Sequence, residues 1–138
     1  MWQEMKLDHL GIAVKNLDEA VRFYKDVLGL ELIEREDVPE ERVRIAIFKV
    51  GDVFIEILEG TSEDSAISRF VSKRGEGIHH LAIRVDDVEE VSKRLRERGV
   101  PLVYDVPKLV AGGKRKINFI HPKATHGVLL EILERCGE

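Results

Sequence analysis

Two histidines and two glutamates recur at matching places along this chain. Residues 7–14 read L-D-H-L-G-I-A-V, and residues 78–85 read I-H-H-L-A-I-R-V. Each stretch has a later acidic companion, F-I-E-I-L-E at 54–59 and L-L-E-I-L-E at 129–134. The repeat superimposes His9 on His80 and Glu56 on Glu131. Imidazole and carboxylate together suit Zn, Co, Ni, Mn or Fe, so the donor types leave the metal open. Four protein donors on an octahedral ion would leave two positions for water or substrate. A carboxylate inside an apolar strand is costly to bury alone, and a divalent cation would remove that cost.

Strand side chains alternate between faces. His9 therefore shares a face with Gly11 and Ala13, while Leu10, Ile12 and Val14 point toward a packed helix. His80 likewise shares a face with Ala82. Small residues beside a histidine leave room that a filled core would not. His79 should point away from His80 and is not read as a ligand. Glu56 sits between Ile55 and Ile57, and Glu131 between Leu130 and Ile132.

The elements that must carry these residues repeat in order. In the first half, strand 7–14 is followed by Asn16 as a helix N-cap, with Asp18 and Glu19 in the first turn. Ala20, Val21, Phe23, Tyr24, Val27 and Leu28 give an amphipathic helix, and Gly29 stops it. Strands follow at 30–34, 43–50 and 53–58. A loop spans 37–41 around Pro39, and a hairpin turn falls at Gly51-Asp52. In the second half, strand 78–85 leads to a helix capped by Asp86 or Asp87. Val88, Val91 and Leu95 form its apolar stripe, and Gly99 ends it. Strands are expected at 102–104, 117–120 and 128–133. Each half is thus β-α-β-β-β. The expected fold is α+β, one domain over 1–138, with module one at 6–59, a linker helix within 60–76 and module two at 77–135. Ala66, Ile67, Phe70 and Val71 mark the linker helix, and Gly75 and Gly77 a hinge.

The bulk numbers fit a soluble globular chain. With 138 residues, 43% hydrophobic and 35% charged, it can bury a core without staples. A net charge of -4 argues against nucleic acid as a partner. No apolar run approaches the roughly 20 residues that span a bilayer, so no membrane association is expected. The start of the chain lacks a charged-then-apolar leader. The lone Cys136 can form no internal disulfide, and a cytoplasmic location is expected. Cys136 has no evident histidine partner as a nucleophile, and Ser62, Ser65 and Ser68 read as caps and loop residues.

Against the acidic balance, residues 107–127 gather Lys108, Lys114, Arg115, Lys116 and Lys123 around Gly112-Gly113. Exposed backbone N–H groups with nearby cations favour phosphates, which would suit a coenzyme A ester.

These stretches together resemble the vicinal oxygen chelate superfamily, which includes glyoxalase I and the extradiol dioxygenases. Within it the chain is similar to the methylmalonyl-CoA epimerase family, from about Leu7 to Glu134. The most specific stretches are G-G-K-R-K-I-N-F-I-H-P-K at 112–123 and G-V-L-L-E-I at 127–132, supported by D-H-L-G-I-A-V at 8–14, F-Y-K-D-V-L-G-L at 23–30 and G-I-H-H-L-A at 77–82. The resemblance implies two modules forming a curved mixed sheet around a metal site. It implies metal ligands at His9, His80 and Glu131, with the fourth position on Glu56, cobalt as a usual activating ion, and a homodimer. The implied CoA thioester loses and regains its α-proton through a metal-stabilised enolate. Lys114, Arg115 and Lys123 would meet the CoA phosphates.

Inversion at carbon needs one group to take the proton and another to return it on the opposite face. Glu131 is the expected first base. Some members of the family place a glutamate in the strand after the P-E loop, but here that register position is Ile45. Glu56, loosened from the metal, is the expected substitute, with a metal-bound water as the other option. A glyoxalase I-type isomerase would use the same four donor types on a glutathione adduct, though the basic loop fits CoA better than a tripeptide. An extradiol dioxygenase would share the two-histidine, one-carboxylate set, but those chains are usually longer. A metal-free binding protein of the same fold is the non-enzymatic alternative, and such proteins often lose the ligands kept here.

Overall fold

The computed structural model describes residues 3–137. The chain divides into two compact units, one of His9–His79 and one joining the residues up to Asp8 to those from His80 onward. The helix expected as a linker falls inside the first unit.

In the first unit, which takes β1 (Lys6–Ala13) from His9 onward, that strand leads into α1 (Leu17–Val21). Asn16 caps α1, its side chain accepting from the Glu19 N–H at 2.9 Å. After Val21 the helix widens into π-helical turns over Arg22–Val27, and Leu28 N–H donates to Phe23 C=O. The sequence suggests one regular amphipathic helix here. The wider turns rotate part of the apolar stripe out of the core, so Phe23 and Val27 are exposed while Tyr24 still packs on Phe48. Gly29 ends the helix at φ +83°, which a β-carbon resists. Next come β2 (Glu31–Val38), β3 (Val43–Val50), β4 (Val53–Gly60) and α2 (Ala66–Arg74). The loop expected at 37–41 is shorter: β2 runs to Val38 and a 3-10 turn occupies Pro39–Glu41. Strand order is β2-β3-β4-β1. The β2-β3 and β3-β4 pairs are antiparallel, while β1-β4 is parallel. Val14, Leu17, Val21, Ala46, Phe48 and Ile57 form the core between α1 and the sheet. Burying each large side chain there contributes about 1.5–3 kcal/mol. Gly60 belongs where it is because a β-carbon would lie 2.0 Å from Ser68 Oγ and 2.3 Å from Ser65 Oγ. Ser65 is the N-cap of α2.

The second unit, which takes β5 (Gly77–Arg84) from His80 onward, repeats the plan with α3 (Val88–Glu97), β6 (Lys108–Val110), β7 (Arg115–Ile120) and β8 (Leu130–Arg135). Asp87 is the cap of α3, accepting from Glu89 and Glu90 N–H. Strand order is β5-β8-β7-β6, with β5-β8 parallel and the rest antiparallel. Val85, Val88, Val91 and Ile132 form its core.

One expected element is absent. Residues 102–104 make only a single bridge, Leu102 to Ile120, and the strand in that place is β6, inside the expected loop. Asn118 explains this. Wholly buried on β7, its side chain accepts from Tyr104 N–H and donates to Tyr104 C=O, each at 3.1 Å. Around the bridge, Val103 N–H donates to Phe119 C=O at 2.9 Å and His121 N–H to Pro101 C=O at 3.0 Å; at Tyr104 the Asn118 side chain takes over, and the pairing goes no further.

The E-I-L-E repeat also acquires a structural meaning. Its second glutamate caps the helix of its own half: Glu59 accepts from Leu17 N–H at 2.8 Å, and Glu134 from Val88 N–H at 3.0 Å. These backbone groups begin a helix and have no partner within it.

Candidate functional site: two buried histidine–glutamate pairs

Each half carries its own pair. On β1, His9 is 2% exposed, and its Nδ1 lies 3.3 Å from Oε2 of Glu56, which is 3% exposed. On β5, His80 is 7% exposed, and its Nε2 lies 3.1 Å from Oε1 of Glu131, 6% exposed. Register explains both. In the parallel β1-β4 pair Gly11 stands beside Glu56, and in β5-β8 Ala82 stands beside Glu131. The residue beside each glutamate is small, so the carboxylate can lean toward the histidine two positions earlier. Ile57 and Ile132 turn the other way into the helix-facing cores. His79 points away from the pair, as the alternation requires, its ring edge-on to Phe70 with centroids 5.0 Å apart.

Buried imidazoles beside buried carboxylates are donors of the kind that hold divalent cations. Within each half the arrangement also permits a carboxylate to exchange a proton with a ligand next to it.

The neighbours of the glutamates differ. Across β3-β4, Glu56 faces Ile47. Ile45, two positions away, is buried at 6%, so β3 presents no acid on that face. Across β7-β8, Glu131 faces Phe119. The Phe119 ring stands edge-on to His80 at 6.1 Å and to Tyr104 at 6.0 Å. Lys108 Nζ lies 5.4 Å from the Tyr104 ring centre.

Sequence reasoning missed this aromatic run and also a charged pair. Asp8, next to His9, is 2% exposed and accepts two hydrogen bonds from Arg135, from Nε at 3.1 Å and Nη2 at 3.0 Å. Arg84 Nε adds a third cationic contact at 3.9 Å. A buried aspartate beside the repeated histidine was the only available signal, and it names no partner.

The basic loop is more ordered than its composition suggests. Gly112 and Gly113 close the β6-β7 hairpin at φ +65° and +84°. Gly113 N–H donates to Val110 C=O, and Lys114 N–H to Ala111 C=O. Those amides are spent on the turn, which corrects the expected cradle of open N–H groups. Lys114 and Lys123 are exposed, whereas Arg115 is buried at 8%. Lys116 is bound to Glu89 at 3.1 Å, and that hydrogen bond raises its pKa.

The family model described as the glyoxalase/bleomycin resistance protein/dioxygenase superfamily matches residues 8–119. The chain belongs to that superfamily. Its relatives include the Bacillus subtilis protein YqjC, itself uncharacterised, 40% identical over 133 residues, which are 96% of this chain and 94% of that one. The ethylmalonyl-CoA/methylmalonyl-CoA epimerase of Cereibacter sphaeroides is 34% identical over 92% of this chain and 96% of its own length. Among solved structures, the methylmalonyl-CoA epimerase of Mycobacterium tuberculosis is 41% identical with a TM-score of 0.88, covering 94% of this chain and 87% of that one. As a superfamily member, the chain carries its donors on the duplicated β-α-β-β-β frame described above. No helix among the described residues is long and apolar enough to cross a membrane.

Proposed function

We propose that this chain interconverts the (2R) and (2S) forms of methylmalonyl-CoA by removing and returning the α-proton. The observation that carries the reading is the duplicated buried pair, His9 with Glu56 and His80 with Glu131, in a chain whose near-full-length relatives bear epimerase names. We assign His9, Glu56, His80 and Glu131 to hold one divalent cation, with Co²⁺ the first to try and Zn²⁺, Ni²⁺ or Mn²⁺ the alternatives. Two imidazoles and two carboxylates, all more than nine-tenths buried, fit such an ion by donor chemistry. When bound, the cation would act as a Lewis acid toward the thioester and carboxylate oxygens of the substrate.

The chain's own residues do the rest. Glu131 takes or returns the proton on one face of the α-carbon, and Glu56 serves the other face, since β3 offers Ile45 and Ile47 in place of an acid. Lys114 and Lys123, exposed beside the β6-β7 hairpin and the H-P-K turn, meet the CoA phosphates; Arg115 is buried and is not assigned to them. Residues 1–138 act as one functional domain, since each half contributes one of the two pairs. We expect a homodimer in the cytoplasm.

The test is solvent-deuterium incorporation at the α-carbon of methylmalonyl-CoA, with and without added Co²⁺, read by mass spectrometry. Exchange that rises with Co²⁺ supports the reading, and no exchange under either condition sinks it. Full epimerase activity in Glu56→Ala would remove Glu56 from its role.

A further inference from the structure

We infer that Phe119, braced by Tyr104, is the wall that limits the size of the alkyl group on the α-carbon. The inference rests on the epimerase reading. Phe119 is the direct antiparallel partner of Glu131. Such partners carry their β-carbons about 4.5–5.5 Å apart on the same face. A carbon that exchanges a proton with Glu131 therefore has the Phe119 ring as a lateral neighbour, and the substituent on that carbon meets the ring.

The wall is braced. His80 stands edge-on to Phe119 at 6.1 Å and 89°, and Tyr104 at 6.0 Å and 71°. Tyr104 cannot drift, because Asn118 grips both its N–H and its C=O. Asn118 is itself wholly buried and donates to Ser92 Oγ at 3.2 Å. Arg96 donates to the carbonyls of Tyr104 and Asp105 as well. The segment without a strand thus acts as a fixed buttress. The matching position in the first half, opposite Glu56, is Ile47, which is aliphatic and has no such brace. The substrate class that follows is a 2-alkylmalonyl thioester with a small alkyl group, methyl before ethyl.

The experiment compares ethylmalonyl-CoA with methylmalonyl-CoA in the full-length protein and in Phe119→Ala, Phe119→Leu and Tyr104→Leu, with Lys93→Gln as a control on the outer face of α3. The readout is the ratio of kcat/KM for the two substrates, which cancels any loss of folded protein. One methylene in an apolar pocket is worth about tenfold or more in discrimination. Phe119→Ala should move the ratio roughly tenfold toward ethyl. Tyr104→Leu should move it the same way by less, and Lys93→Gln should leave it unchanged. Phe119→Leu keeps an apolar side chain there should the alanine variant fail to fold. A ratio that stays constant while epimerisation persists overturns the wall and spares the epimerase. Absence of turnover with either substrate in the unaltered protein overturns the epimerase reading instead. The ratio of Kd values for the two thioesters, measured by calorimetry in the same variants, then decides the wall.

Discussion

The two halves keep the same donors and surround them differently. Each places a histidine on its first strand, a glutamate on the parallel neighbour, and a second glutamate on the first N–H of its helix. What differs is the strand on the far side of each glutamate. In the first half it carries Ile47, within a hairpin of two eight-residue strands. In the second it carries Phe119, which makes edge-on contacts with two other rings. The outer strands diverge too: β2 has eight residues, whereas β6 has three and is preceded by a segment pinned through Asn118. The histidine–glutamate pairs and the helix-capping glutamates are alike in the two halves. The strand residues facing Glu56 and Glu131 are not. On the proposed function, this is the division to expect where one chemistry is kept and one ligand chosen.

The comparison can be broken most severely at the donors. Glu131→Gln should lower kcat by about 10²–10⁴-fold, the usual span for a group that transfers a proton. Glu56→Gln should do the same if the two carboxylates serve opposite faces. Steady-state kinetics on both variants tests this, and a large loss for one with none for the other would make the halves unequal in chemistry as well as in walls.

Next in size is the position before each histidine. Asp8 and His79 are equivalent in the repeat but not in environment. Asp8→Ala removes the carboxylate that accepts both Arg135 hydrogen bonds and should cost about 1.5–3 kcal/mol, the usual range for hydrogen bonds to charged groups. His79→Ala loses mainly an edge-on contact with Phe70, about 0.5–1.5 kcal/mol. Urea denaturation of the two variants measures the difference, and equal losses would contradict the assignment.

The smallest effect should be symmetrical. Glu59→Ala and Glu134→Ala each remove one hydrogen bond to a helix-starting N–H, and each should cost about 1 kcal/mol. Thermal unfolding of both variants checks it; a loss confined to one half would show that the caps have diverged along with the walls.

Much of the frame was readable beforehand, and particular residues show why. Alternation in L-D-H-L-G-I-A-V puts His9 and Gly11 on one face whatever the surroundings, since strand geometry has a period of two. Asn16 and Asp87 cap helices because their short side chains reach the nearby N–H groups. Tyr104 shows the limit. A run of apolar residues at 102–104 has the composition of a strand, yet its pairing stops after the Leu102–Ile120 bridge, and at Tyr104 the side chain of Asn118, fourteen residues on, takes over. The regular helix expected from Ala20 to Leu28 likewise widened where packing on Phe48 held Tyr24 and let Phe23 and Val27 go.

By itself, the sequence determined where the two histidines and two glutamates recur, the strand faces they occupy and the order of elements in each half, because all of these follow from local periodicity and from the repeat. Only tertiary structure decided their neighbours. Phe119 stands beside Glu131 because of the register of β7 on β8, and Arg135 reaches Asp8 across 127 positions of chain. Register and long-range pairing come from the packing of whole elements, and no local pattern of residues encodes them.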